Sequence, residues 1–543
     1  MDFNLADVFE AVAAAVPDRE AIVWGDKRFT YAQFDERSTR LANVLADAGH
    51  GAHSSRDGLG GHETHQDHLA IYLYNGNEYL EAMLAGFKGR VAPFNVNYRY
   101  VEEELRYLLD NCQANAIVFD GRFAATLAAV LPDLPNLKTL IQVGDEPLLD
   151  GAIAYEDALA AASPEPRDLG RLSDDLYILC TGGTTGMPKG VLWRQADIYM
   201  GSMGGRDLAS GQEFETIDAI VENAANGGGA KMLPAPPFMH GAGHWMAFNA
   251  FNSGNTVVIQ DEVTRLDPDQ VWRLVEREGV SILLIVGDAF GRPLVDALEA
   301  GSYDASSLLA VVSGGAPLNS SIKDRFLAQL PATMVMDAVG ASETGSQMSH
   351  VSAAGAKAST GTFTPGPGAV VVSAEMDAVL DAGHDGNGWL AQEGRVPLGY
   401  LGDADKTART FPVIDGTRYA VPGDRARLNA EGEIELFGRD SVTINSGGEK
   451  IFAEEVEQAL AHHPDVFDVV VAGRPSEQWG NEVVAIVQSR DGATADEASL
   501  LEEAAKHVAR YKLPKAFVFV DSVVRSPAGK ADYRWAKEQA AEA

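Results

Sequence analysis

Apolar positions recur along this chain at a helical period at first, and then in blocks that alternate between strand and helix. Leu5 to Val16 carries an amphipathic helical stripe. The Gly25-Asp26 turn joins two brief strands, Ala21–Trp24 and Arg28–Thr30. Thr30 then offers the hydroxyl of an N-cap to a helix over Tyr31–Ala48, whose Leu41, Val44 and Leu45 share a face. From Leu69 the pattern reads strand Ala70–Tyr74, helix Glu78–Lys88, strand Val91–Val96, helix Val101–Asn111 and strand Ala116–Asp120. A second alternation runs through Thr256–Gln260, Asp267–Glu278, Ser281–Val286, Ala289–Glu299, Ala310–Ser313, Leu318–Leu330 and Thr333–Asp337. Such blocks predict parallel, covered sheets in two related halves that meet at a crevice, a favoured place for ligands. Between the halves, Gly201 to Gly229 is rich in Gly, Ala and acidic residues and shows only weak periodicity.

From about Pro365 the helices stop, and short strands with turns at Asp415-Gly416 and Glu431-Gly432 predict a β-rich part running to Phe437. Beyond Arg439 the pattern is α+β: helix Ala453–His462, strands Val466–Ala472 and Glu482–Gln488, helix Ala495–Tyr511, strand Ala516–Asp521 and a final helix. About 100 residues suffice for an independent core. The fold class is therefore α/β, with a large N-terminal domain of two α/β subdomains plus a β-rich subdomain, and a small α+β C-terminal domain.

A length of 543 residues exceeds one core. The 46% apolar and 22% charged shares are those of an ordinary globular enzyme. The net charge of -35 argues against nucleic acid or an anionic membrane as partner, and any anionic ligand must meet locally gathered cations. Arg510, Lys512, Lys515 and Arg525 form such a patch near the C-terminus. No run of about 18 apolar residues predicts a membrane span. Cys112 and Cys180 make no metal spacing, and no signal-peptide pattern opens the chain, so a reduced cytoplasmic setting is expected. His50, His53, His62, His65 and His68 lie in a polar stretch, Gly49 to Leu69, without helical pairing or a cysteine partner; a solvated loop is expected there rather than a metal site.

The densest chemistry lies in Thr181-Gly182-Gly183-Thr184-Thr185-Gly186-Met187-Pro188-Lys189-Gly190, which follows the buried strand Leu176–Cys180. Glycines there allow close backbone approach, amides and hydroxyls donate, and Lys189 adds charge: a phosphate cradle. The P-loop pattern G-x-x-x-x-G-K-[ST] does not fit, because Pro188 separates Gly186 from Lys189 and Gly190 stands where the hydroxyl should be.

This stretch resembles the phosphate loop of the adenylate-forming superfamily: acyl-CoA synthetases, luciferases and peptide-synthetase adenylation domains. The resemblance runs through nearly the whole chain. Phe87 to Tyr100 looks like an acyl-CoA synthetase segment, and Pro236-Pro237-Phe238-Met239-His240-Gly241 resembles the segment whose side chain gates the carboxylate pocket. Ser313-Gly314-Gly315-Ala316-Pro317 resembles the backbone lying against adenine. Asp337-Ala338-Val339-Gly340-Ala341-Ser342-Glu343 resembles the segment in which a hydroxyl, here Ser342, contacts the α-phosphate and a carboxylate, here Glu343, helps hold magnesium. Val339 departs from the aromatic residue usual there. Tyr419 to Asp424 resembles the element whose Asp, here Asp424, accepts both ribose hydroxyls, and Gly438-Arg439 follows as a guanidinium near phosphate. Gly447-Gly448-Glu449-Lys450 resembles the glycine loop lining a pantetheine tunnel, and Ser526-Pro527-Ala528-Gly529-Lys530 the catalytic-lysine loop.

The resemblance implies ATP, Mg2+ and coenzyme A as cofactors and a small carboxylic acid as substrate. It implies an AMP-binding domain over 1–438 and a mobile domain over 439–543, hinged near Ser441, where most relatives have Asp or Lys. Lys530 would bridge the carboxylate and the α-phosphate. Gly190 to Gln195 is similar to bacterial ligases for long fatty acids or steroid side-chain acids, with Trp193, Trp245, Phe290, Ala316 and Ala341 as pocket candidates and Gly241 to Gly243 leaving room. Two alternatives stay open: a stand-alone adenylation enzyme loading a separate carrier protein, and a nucleotide-binding regulator without turnover. A homodimer is also left open.

Overall fold

Thr30 caps its helix as its hydroxyl predicts: it accepts from the Gln33 amide at 3.2 Å, while the Gln33 side chain accepts from the Thr30 amide at 2.9 Å. This reciprocal box starts the helix Tyr31–Asp47. Its apolar face meets the first helix, Leu5–Ala15, in an aromatic cluster with Phe9 and Phe34 at 5.2 Å and Phe34 and Phe251 at 4.8 Å. The computed structural model describes the chain apart from residues 184–185, 208–209, 356–360, 440–441, 447–448, 477–479, 494, 509, 526–528 and 543; the side chains at 182–183, 186–187, 439, 445, 449–450 and 480 also lie outside the description.

Among the described residues the strands form three sheets. The first has eight strands, with Leu176–Gly183, Ala92–Asn95, His68–Tyr72, Ala114–Asp120, Thr139–Val143 and Ala152–Ala154 parallel in that spatial order. The second has 15 strands. Its parallel part runs Glu20–Trp24, Thr256–Ile259, Lys231–Pro234, Ile282–Ile285, Ala310–Gly314 and Met334–Ala341. It continues antiparallel through Gly345–Ser352 and Thr362–Pro365 into the β-rich part. The two expected alternations thus become two sheets, although the first hairpin joins the second of them by pairing Glu20–Trp24 with Thr256–Ile259. The third sheet, of five strands, belongs to the C-terminal segment, where Ala516–Phe519 adds in parallel to Gly480–Ser489.

Several expectations need correction. A helix, Ala404–Thr410, interrupts the β-rich part; it is only 7 residues long and starts at a local Asp403 cap, so periodicity did not reveal it. Within Gly201 to Gly229 lies the helix Ile217–Gly227, capped by Thr216. The helix expected over Ala495–Tyr511 spans Glu497–Ala504, with a short 3-10 turn at Arg510–Lys512. The histidine-rich stretch is the solvent-facing loop expected over 49–64, but its end turns into the core. His65 and His68 are buried, His50 and His53 share Asp67 at 3.2 and 2.8 Å, and the His62 carbonyl accepts from the Gly402 amide at 2.8 Å. His50 and His68 brace it through both ring nitrogens, and no group of three or more His, Cys, Asp or Glu among the described residues could hold a metal ion. No described helix is long and apolar enough to cross a membrane.

Candidate functional site

The threonine-glycine stretch is an antiparallel hairpin rather than a loop: Leu176–Gly183 pairs with Gly186–Arg194, and Thr184 and Thr185 at its tip lie outside the described residues. Two buried asparagines anchor its base. Asn95 accepts from the Cys180 amide and donates to the carbonyls of Cys180 and Met239, all within 2.8 Å. Asn75 accepts from the Phe238 amide at 2.6 Å. These bonds fasten the hairpin base and the Pro236 to His240 segment to the ends of parallel strands. Lys189, expected to face phosphate, is instead ion-paired with Asp403 in this arrangement. A lysine on an extended arm alternates faces with its neighbours, and a carboxylate on the outer side captures it.

Beside this hairpin opens a cleft of about 630 Å³. It gathers Thr181, Gly315, Ala316, Pro317, Asp337, Val339, Ser342, Glu343, Asp424 and Lys530 from distant parts of the sequence. Most of these residues sit at the carboxyl ends of parallel strands, where loops leave room for a ligand. Gly315 adopts φ +84°, a left-handed turn that glycine tolerates. At Gly340 a Cβ would strike the Gly345 carbonyl, so this bulged strand can fold back only through glycine. Trp193 is fully buried and donates its indole N–H to the Ser342 carbonyl at 2.9 Å; it is a strut behind the cleft, not part of a lining. Phe290 likewise packs in the core beneath the second sheet. Trp245, only partly buried, donates to the Tyr177 hydroxyl at 3.1 Å. Ala316 and Ala341 do face the cleft.

The carboxylates divide by environment. Asp337 is ion-paired with the buried Lys323, so its carboxylate is already engaged rather than free for nucleotide; burial nonetheless raises its carboxyl above the ordinary range. Glu343 accepts from the Tyr400 hydroxyl at 2.6 Å, and the Lys406 ammonium lies 3.9 Å from the centre of the Tyr400 ring. Tyr400 and Lys406 both line the cleft and were missed in the sequence, where only the Gly399-Tyr400 pair hints at them. Asp424 opens the strand Asp424–Leu428, paired opposite Arg439, whose side chain lies outside the description.

The C-terminal segment closes the cleft from the other side with Glu454, Glu457, Arg525, Lys530 and Tyr533. His240 stands near: burial first, and then the charge of Lys530, depress its imidazole to about 3, so the ring is neutral at working pH. Its Nε2 is buried without a hydrogen bond among the described residues. The expected basic patch is largely neutralised: Lys512 pairs with Glu455 at 2.6 Å and Arg525 with Asp468 at 2.6 Å. Gly448 and Ser441 lie outside the described residues, as does the Lys450 side chain.

A large cleft at strand ends, bordered also by a lysine of the C-terminal segment, is the arrangement of a ligand-binding enzyme site. Residues 9–401 match the family model described as AMP-binding enzyme, and residues 455–530 match that of the AMP-binding enzyme C-terminal domain. The chain belongs to the AMP-binding enzyme family. It is 57% identical to the medium-chain acyl-CoA ligase Mig of Mycobacterium avium, over 99% of this chain and 98% of that protein. It is 42% identical to a medium/long-chain-fatty-acid–CoA/3-oxocholest-4-en-26-oate–CoA ligase of Mycobacterium tuberculosis, over 99% and 96%. Among solved structures it superimposes on the anthranilate CoA ligase AuaEII with a TM-score of 0.82 at 19% identity, covering 100% of this chain and 98% of that one.

Proposed function

We propose that this enzyme joins an apolar carboxylic acid, a medium- or long-chain fatty acid or a steroid side-chain acid, to coenzyme A through an acyl adenylate. The observation that carries the chemistry is the meeting of Thr181, Ser342, Glu343, Asp424 and Lys530 on one cleft. The names of the relatives support the choice of acids. In the first half-reaction the carboxylate attacks the α-phosphorus of ATP and pyrophosphate leaves. Lys530 stabilises the charge gathering on the α-phosphoryl and carboxylate oxygens, and the neutral, unpartnered His240 ring borders the carboxylate without adding charge. Ser342 would donate to the α-phosphate and Asp424 accept from the ribose. The phosphate hairpin would receive the β- and γ-phosphates, for which Lys189 must exchange Asp403 for phosphate. Glu343, with one oxygen fixed by Tyr400, suits a cation that takes most of its ligands from phosphate and water. Magnesium bound there would neutralise phosphate charge.

In the second half-reaction the thiolate of CoA attacks the mixed anhydride and AMP leaves. The small domain, residues 439–543, would turn about Ser441 to withdraw Lys530 and admit the thiol; the separate third sheet supports treating it as one body. Fixed charge and positioning do the work in both halves. A panel of fatty acids and 3-oxo steroid acids, assayed for pyrophosphate release and for CoA thioester by mass spectrometry, tests the reading. Pyrophosphate without thioester would turn it toward a carrier-loading enzyme, and no acid-dependent pyrophosphate would end it.

A further inference from the structure

The chemistry above makes no use of Arg525, yet its contacts converge on Lys530. Its guanidinium grips Asp468 with two parallel bonds, Nη2 to Oδ1 at 2.6 Å and Nε to Oδ2 at 2.7 Å. Asp468 stands near the start of Val466–Ser476, which pairs over most of its length with Gly480–Ser489, the strand that has three partners in the small sheet. A forked pair of this kind fixes the plane of the guanidinium. The remaining nitrogen, Nη1, donates to the carbonyl of Gly529 at 3.2 Å, the residue immediately before Lys530. The Arg525 backbone also bridges to Ala531, immediately after it. Both neighbours of Lys530 are thus tied to one arginine that is itself held by the Asp468 carboxylate.

The same residues meet the large domain. Gly529 has φ +73°, and a Cβ there would lie 3.2–3.4 Å from Ala289 and Val286, at the start of the helix Gly287–Ala300. In the first turn of that helix Asp288 accepts from the Asn319 amide at 2.7 Å and faces Arg525 and Asp468 across a cavity of about 50 Å³. Burial raises the Asp288 carboxyl, and the charges of Arg292 and Arg525 oppose that rise, so Asp288 feels the small domain's arginine across this seam. Arg292 adds a second link by lying over the ring of Phe467, at 5.6 Å.

A lysine ammonium rides on four freely rotating methylenes, and its position is only as good as the backbone beneath it. We propose that Arg525 is a positioning residue for Lys530: it clamps the backbone on either side of the lysine in the adenylating arrangement, with Asp288 of the large domain as its counter-charge. The inference rests on the reading of Lys530 as the adenylating lysine. Arg525 borders the cleft, but in this role its guanidinium is spent on Asp468 and the Gly529 carbonyl, and it acts through the lysine.

The test measures the two half-reactions separately on the full-length enzyme: acid-dependent pyrophosphate release, and thioester formation from supplied acyl adenylate and CoA. Arg525→Gln keeps a polar side chain but loses the fork, and should slow adenylation by roughly 10²-fold, the scale expected for a misplaced catalytic group. Thioester formation should stay within about twofold of the parent, because Lys530 has then swung away. Arg525→Lys should recover only part of the loss, since one ammonium cannot reproduce the fork and the third bond. Gly529→Ala, which strains the same backbone from its other side, should show the same selective loss. Equal losses in both half-reactions would make Arg525 a mere structural support and overturn the proposal. Lys530→Ala is run in parallel. If it cripples adenylation while Arg525→Gln does not, the positioning role alone fails; if it spares adenylation, the underlying reading of Lys530 fails too.

Discussion

A tyrosine hydroxyl 2.6 Å from a carboxylate oxygen confines that carboxylate to one orientation, and Tyr400 does this for Glu343 from a fully buried ring. Tyr400→Phe keeps the packing and removes the bond, so the carboxylate should wander. The apparent affinity for magnesium should fall roughly 10-fold or more, the worth of one hydrogen bond to a charged group at about 1.5 kcal/mol. Initial rates across a magnesium titration, together with calorimetry of nucleotide binding at fixed magnesium, read this directly; an unchanged magnesium dependence would refute the role. Val339 presents the opposite case, a residue smaller than expected. It lines the cleft while packing partly against the cluster of Met348 and Phe363. Val339→Tyr would add a ring able to stack on the base, and KM for ATP should fall by about tenfold with kcat little changed, as uniform binding requires. Steady-state kinetics at saturating acid and CoA would show it.

Elements formed where local chemistry and tertiary packing agree. The capping box at Thr30 is local, and its helix Tyr31–Asp47 began where expected. Thr30→Ala should cost about 1 kcal/mol of stability by leaving the Gln33 amide without its cap, measurable by urea denaturation. The helix Asn77–Gly89 shows where local reading falls short. Its sequence carries Glu81 and Lys88 as if for a solvated face, yet all of its residues are buried. Glu81 is met by Arg37 at 2.8 Å and the Tyr155 hydroxyl at 2.6 Å, and Lys88 by Asp35 at 2.6 Å. Partners 40 or more residues away in the chain decide that burial, and no periodicity within the helix can announce them. Lys189 is another case, since its partner Asp403 caps a short helix far along the chain.

At the scale of the whole molecule the two domains meet through titratable groups. Glu457 borders both interdomain cavities, and burial pushes its carboxyl up to about 7 despite the Val471 amide, Arg525 and the Tyr533 hydroxyl. A carboxyl raised in the folded state favours the proton there. Its contribution to stability is therefore complete below the unfolded value, near 4.5, and is lost as pH climbs through about 7. Denaturation midpoints should fall between pH 5 and 8, by up to about 3 kcal/mol of stability from this group. Glu457→Gln should flatten that decline and be the more stable form at pH 8. A parallel decline in the variant would assign the pH dependence elsewhere.

The sequence alone determined the class of fold and the order of most strands and helices, because periodicity, caps and glycine placement are local consequences of covalent chemistry. Thr181, Gly315, Ser342, Glu343, Asp424 and Lys530 were legible through their resemblance to the family's motifs, and they line one cleft. Only the tertiary structure decided which charges face the cleft and which are spent on partners: Lys189 on Asp403, Asp337 on Lys323 and Arg525 on Asp468. Charge pairing acts through space over a few ångströms, whatever the separation along the chain. A sequence records the charges but not their distances.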